Sequence, residues 1–183
     1  MDTNGTDEQL IRRFAHGDRA ALGALAEQYE GPLLGLAAGL LGREQTLARD
    51  AVQETWLRVI RFGDRFDGRS SFKTWLYRIA INQCNSLRAA RPAFGGAELD
   101  ASAKSNAQAP DAAAESAESR RTVREAVDQL GADQRLIVLL CYHEGMTHTQ
   151  AAEILEIPVG TLKSRLHAAL TDLRERLSSE NQS

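Results

Sequence analysis

The chain has 183 residues, 43% hydrophobic and 26% charged, with a net charge of −3, the balance of an ordinary globular protein of one mid-sized or two small domains. No apolar run approaches the ~20 residues that cross a bilayer, and Met1-Asp2-Thr3-Asn4-Gly5-Thr6-Asp7-Glu8 lacks the basic flank and apolar stretch of a secretory signal. No membrane insertion and a cytoplasmic location are therefore expected. Aromatics make up only 5%, and no stretch alternates apolar and polar residues over a strand's length, which predicts an all-α fold.

In chain order, Thr6-Asp7-Glu8-Gln9 fits a capping box that opens a first helix. Asp18 can cap a second, with Leu22, Leu25 and Tyr29 at helical spacing, and Leu33 to Leu41 form a third that Gly42 closes. A fourth runs from about Leu47 to Phe62, with Leu47, Ala51, Val52, Trp56, Val59 and Ile60 on one side. The fifth spans roughly Ser70 to Ala90. Residues 1–91 thus read as one helical bundle, with Trp56 and Trp75 in its core. Residues 92–118 open with Pro92, contain Gly95-Gly96 and Pro110, and hold few large apolar side chains to offset the entropy of ordering. They read as an acidic, flexible linker. Periodicity returns in residues 119–183, a second and smaller helical domain. Cys84 and Cys141 fall in apolar helical patterns and are expected to be buried, reduced thiols.

The net charge conceals a division. Residues 51–91 carry 8 basic and 3 acidic groups, whereas residues 92–118 carry 1 and 5. Phosphate affinity follows local clustering, so a negative total does not exclude nucleic acid.

The most specific pattern lies between Thr147 and Leu177. Thr147-His148-Thr149-Gln150 forms a capping box, and Ile157-Pro158-Val159-Gly160-Thr161 has the length of a sharp turn between two helices. In the helix that follows, Leu162, Leu166, Leu170, Leu173 and Leu177 make one apolar stripe. At ~100° per residue, Gly160, Ser164, His167, Ala168 and Thr171 point away from it, with Lys163 and Arg165 on the flanks. Small and hydrogen-bonding residues between cations suit a helix that enters the major groove.

Pro158-Val159-Gly160-Thr161-Leu162-Lys163-Ser164-Arg165-Leu166 is similar to the recognition-helix motif of bacterial sigma factors of the extracytoplasmic-function group. Asp50-Ala51-Val52-Gln53-Glu54-Thr55-Trp56 resembles the helix by which these factors grip the clamp of RNA polymerase, and Trp75-Leu76-Tyr77-Arg78-Ile79-Ala80-Ile81-Asn82 the helix that handles the melted −10 element. The resemblance implies core-polymerase binding by Asp50, Gln53 and Glu54. For −10 DNA it implies Arg65, Phe66, Arg69, Arg78, Asn82 and Arg88, with Arg91 extending the cationic face. For −35 DNA it implies Thr161, Lys163, Ser164, Arg165, His167 and Ala168; many relatives carry Arg where Ala168 stands, and a methyl there could favour thymine. The implied partners are the polymerase core, through its clamp and flap, promoter DNA and an anti-sigma protein. No cofactor, metal or enzymatic activity is implied. The larger factors' acidic N-terminal extension and third helical domain are not expected, nor is an added C-terminal domain, since six residues follow Leu177.

Other classes fit less well. His143 and His148 are five apart, with a helix start between them, so the zinc-protease pattern fails. No strand–helix receiver precedes the helix-turn-helix, against a two-component regulator, and the recognition face argues against a pure interaction bundle.

Overall fold

A computed structural model describes residues 4–90 and 111–180, with side chains for 6–90 and 118–178. Among the described residues all regular structure is helical: α1 (Asn4–Ala15), α2 (Arg19–Leu40), α3 (Gln45–Phe62), α4 (Phe72–Ala89), α5 (Asp111–Asp128), α6 (Ala132–Val138), α7 (His148–Leu155) and α8 (Val159–Glu180). A 3-10 turn, Gly63–Arg65, follows α3, and a π turn, Leu139–His143, extends α6.

The first lobe is α1 to α4. Its start differs from the expected capping box, because α1 is under way from Asn4 and Thr6 already lies inside it. The acidic residues there join helices instead of capping their own. Asp7 is buried and accepts hydrogen bonds from the Tyr29 hydroxyl and, at 3.5 Å, from Gln28 Nε2. Glu8 Oε1 accepts the Phe72 N–H at 2.9 Å, and Ser71 Oγ accepts that of Thr74 at 3.1 Å. Two otherwise orphaned donors at the start of α4 are thereby satisfied. Asp18 caps α2 as expected, accepting from Ala20 N at 3.0 Å and Ala21 N at 3.3 Å. The Arg13 guanidinium, 2.7 Å away, holds its carboxyl below the usual range.

The expected second and third helices are one. α2 runs straight through Pro32, although an interior proline costs ~3 kcal/mol. The reason is burial on both sides of it: Leu25, Tyr29, Leu33 and Leu36 form a single buried face, and each such side chain contributes about 2 kcal/mol. Gly42 (φ 66°) ends the helix as expected, and the Arg43 N–H turns back to the Ala38 carbonyl at 2.8 Å. Phe72, Leu76 and Tyr77 of α4 fill the centre, with Tyr29 edge-on to Phe72 and Tyr77 at 5.8 and 6.4 Å. Trp56 and Trp75 pack against this core.

In the second lobe the reading of 92–118 as linker needs correction at its end, for residues 111–118 are the beginning of α5. Extending a helix already formed costs no new nucleus, and alanine is the best propagator. Residues 91–110, including Arg91 and the rest of that linker, lie outside the described residues. The Arg135 guanidinium covers the end of α5 by donating to the carbonyls of Asp128 and Leu130. Leu130, Ile137, Leu140, Met146, Ala151, Ile154 and Leu162 make up the core.

Candidate nucleic-acid interface

The helix-turn-helix forms as its sequence predicts. Thr147 Oγ1 accepts the Gln150 N–H at 3.2 Å and Gln150 Oε1 accepts the Thr147 N–H at 3.0 Å, the reciprocal capping box. α7 ends on Glu156 in the left-handed region (φ 54°), and the Ile157 N–H returns to the Ala152 carbonyl at 3.1 Å. Pro158 stands just before α8 and supplies the carbonyl for its first turn, accepting the Leu162 N–H at 3.0 Å. The stripe packs inward: Leu162, Leu166, Ala169 and Leu173 are buried, with Leu170 and Leu177 partly so.

That packing fixes what α8 presents. Lys163, Ser164, Arg165, His167 and Ala168 are exposed, and Thr161 is half-buried at the entry. Ser164 Oγ donates to the Thr161 carbonyl at 2.9 Å, which leaves its lone pairs free to accept. Among the described residues the side chains of Lys163, Arg165 and His167 contact no hydrogen-bond or ion-pair partner, although the His167 carbonyl accepts the Thr171 hydroxyl at 3.0 Å. This is a preformed face of two cations, an imidazole, a hydroxyl and a methyl on a rigid helix.

The first-lobe candidates are differently placed. Arg65 is exposed and sits 5.2 Å over the Phe62 ring. Arg69, on the exposed loop, pairs with Asp67 at 3.1 Å. Phe66 does not stand free as a stacking surface: it is half-buried, 5.6 Å from Trp75 and 6.1 Å from Phe72. Asn82 is exposed on α4, and Arg88 is half-buried near the end of that helix. Arg78, one turn before Asn82, is already occupied. It donates to the Glu153 carbonyl at 2.5 Å, on α7, and pairs with Glu156, just past the end of that helix, at 3.7 Å.

On α3, Asp50, Gln53 and Glu54 are exposed together, Glu54 pairing with Arg58 at 3.5 Å. Ile60 was expected on the buried side and is 52% exposed; Leu57 is 50% exposed beside it. Val59 is buried, and Ile60, ~100° round the helix from it, falls instead on the exposed side with Gln53 and Leu57. Leu57 and Ile60, at i+4 and i+7 from Gln53, thus add an apolar rim to the acidic patch that the sequence reading missed; the spacing was its signal. A groove of about 400 Å³ runs alongside, lined by Glu30, Leu34, Arg49, Val52, Gln53 and Trp56.

Cys84 is buried, and desolvation pushes its thiol up to about 11, while Cys141 is only partly buried and its thiol is raised by the same cause. Both are protonated and poorly nucleophilic at neutral pH. Among the described residues no helix is long and apolar enough to cross a membrane.

The two lobes coincide with two known domains. Residues 25–92 match the Sigma-70 region 2 family and residues 120–173 match Sigma-70, region 4. The chain is 33% identical to the RNA polymerase sigma-H factor of Pseudomonas aeruginosa, over 92% of each chain. It is 31% identical to the ECF RNA polymerase sigma-E factor of Escherichia coli K12, over 92% of this chain and 93% of that one. Among solved structures it resembles CnrH in complex with the cytosolic domain of CnrY (TM-score 0.72, 25% identity, 94% of this chain and 97% of that one). A second likeness is to the sigma factor RpoE with the anti-sigma factor NepR from Bartonella quintana (TM-score 0.65, 26% identity, 85% and 97%). Fold and matches together define a sigma factor, a DNA-binding initiation factor for promoter-specific transcription by RNA polymerase and not an enzyme. Within that class, the chain belongs to the extracytoplasmic-function group of the sigma-70 family.

Proposed function

We propose that the two lobes divide promoter recognition, α8 reading the −35 duplex and α4 with its preceding loop handling the melted −10 strand. The observation that carries this is the outward face of α8. A preformed helix surface of exposed cations flanking small and polar side chains fits a major groove without rearrangement. Lys163 and Arg165 hold phosphates; Ser164, His167 and the Ala168 methyl meet base edges, with Thr161 at the helix entry. In the first lobe Arg65, Arg69, Arg78 and Arg88 supply charge along the strand, and Asn82 can hydrogen-bond an unstacked base. Phe66 contributes by shaping the loop from beneath rather than by stacking.

Asp50, Gln53 and Glu54, with Leu57 and Ile60 beside them, dock on the polymerase clamp, while the second lobe reaches the flap. The domain limits that follow are 1–91, an intervening segment, and a second domain that includes α5 and runs to the end of α8. An anti-sigma protein is a further partner, supported by the solved complexes of CnrH with CnrY and of RpoE with NepR.

Run-off transcription with core polymerase tests the assignment. Lys163→Ala removes one phosphate contact and should lower the salt dependence of promoter binding by about 0.9 in log–log slope. Asn82→Ala should reduce promoter-specific transcripts about tenfold, equivalent to one lost base contact. Unchanged output from both variants would refute it.

A further inference from the structure

α1 lies before residue 25, where the region 2 match begins, yet it is fastened to both ends of the loop that runs from α3 into α4. At the near end a Cβ at Gly63 would stand 3.2 Å from Ile11 Cδ1 and 3.2 Å from Phe14 Cε1, so α1 rests directly on the backbone of the 3-10 turn. At the far end Glu8 Oε1 accepts the Phe72 N–H at 2.9 Å. Ile11 is fully buried, which sets the roll of the helix. One residue on, ~100° round, Arg12 is exposed. Its guanidinium reaches the middle of the loop, where a Cβ at Gly68 would lie 3.7 Å from Arg12 Nη2. Gly68 is itself exposed at φ 72°, a left-handed conformation that glycine adopts without strain. With no side chain there, the loop backbone stays open beside the guanidinium. Arg12 is also uncommitted: among the described residues its side chain has no hydrogen-bond or ion-pair partner. Glu8, one helical turn back, turns to Phe72 instead, and the neighbouring Arg13 is paired with Asp18 at 2.7 Å.

We propose that α1 is part of the strand-binding surface, and that Arg12 binds a backbone phosphate of the melted strand where the strand crosses Gly68. The proposal rests on the reading of α4 and its preceding loop as the −10 surface. A guanidinium offers a fork of donors that matches two phosphate oxygens at once. Arg69, on the loop itself, must share its charge with Asp67, whereas Arg12 gives up no internal partner on meeting a phosphate. Glycine at position 68 lets the strand's backbone come closer than any side chain would. A phosphate contact positions the strand and carries no sequence information. Its signature is therefore salt dependence, each phosphate neutralised on a single strand adding about 0.7 to the log–log slope of affinity against salt.

The test uses holoenzyme reconstituted from core polymerase and the full chain. Its ligand is a promoter fragment recovered by start-site mapping and held open by mismatches across its downstream element, with binding titrated against salt. Arg12→Ala should lower the log–log slope by about 0.7. Arg12→Lys should keep the wild-type slope, because a point charge releases the same counterions. Arg13→Ala removes an equal charge one residue away, on a side chain turned to Asp18, and should leave the slope unchanged. A wild-type slope in Arg12→Ala would overturn the proposal. So would equal losses in Arg12→Ala and Arg13→Ala, which would report only the summed field of the lobe. A slope that Arg12→Lys fails to keep would overturn it too, making Arg12 a prop for the loop instead of a phosphate ligand. Failure of the −10 reading itself would show separately, as no chain-dependent promoter to recover or as an opened fragment whose binding is indifferent to Asn82→Ala.

Discussion

α8 and α4 both carry cations on a long helix, but only α8 presents them bare. Among the described residues the side chains of Lys163, Arg165 and His167 face outward unengaged, whereas Arg78 on α4 is held by the Glu153 carbonyl and Glu156. Phe66, in the loop before α4, is packed against Trp75. A duplex can be read by a rigid helix that simply docks. On the proposed division of labour, α4 would meet a melted strand with one of its cations, Arg78, already engaged inside the protein. The contrast is between a bare cationic face and one that is partly occupied.

Three changes sharpen or break that contrast. The largest is Leu162→Ala, which removes the buried anchor of α8 and should cost ~3 kcal/mol. If the lobes are docked, differential scanning calorimetry should show the first lobe's transition shift along with the second; a first-lobe transition that stays put would mean the lobes unfold independently. Next is Thr147→Ala, which strips one half of the capping box and should cost ~1 kcal/mol. Chemical denaturation of the full chain measures that loss, and −35 binding per folded molecule should be unchanged because Thr147 lies outside the α8 face.

The smallest concerns the base of the first lobe. Burial raises the Asp7 carboxyl above its ordinary value of 3.8, outweighing the hydrogen bond from Tyr29. The folded chain therefore keeps that proton to higher pH than the unfolded chain does. Its stabilising contribution is full below pH 3.8 and is lost as pH rises through the raised folded value. Asp7→Asn should remove this one component, so the stability difference between wild type and variant should change with pH above 3.8 and then level off. A difference independent of pH would show that Asp7 titrates no differently in the two states.

Much of the second lobe was readable from the sequence because independent signals coincide there. Thr147 and Gln150 fix a start, Ile157-Pro158 mark a turn that proves shorter than the Ile157–Thr161 stretch because α8 begins at Val159, and one leucine stripe fixes the facing of α8. Where a single local signal stood alone, tertiary packing overruled it. Leu22–Tyr29 and Leu33–Leu41 were read as two helices, yet the burial of Tyr29, Leu33 and Leu36 on one face carries α2 through Pro32 between them. The alanine-rich end of the supposed linker continues α5 because it is attached to a helix that already exists. Ile60 was placed inward with Val59, but it lies ~100° further round the helix and falls on the exposed side with Gln53 and Leu57. The engagement of Arg78 was invisible for a different reason. Its partners lie 75 and 78 positions along the chain, and no periodicity reports a contact at that range.

The most direct test is start-site mapping on a genomic DNA pool, using purified core polymerase with the wild-type chain, with Lys163→Ala or with Asn82→Ala. The division of labour predicts chain-dependent start sites preceded by two separated sequence elements. Lys163→Ala, which loses a phosphate contact, should lower output from start sites that depend on the upstream element without changing its sequence, and Asn82→Ala should relax the downstream element. Both variants acting through the same element, or neither acting through any, would contradict it.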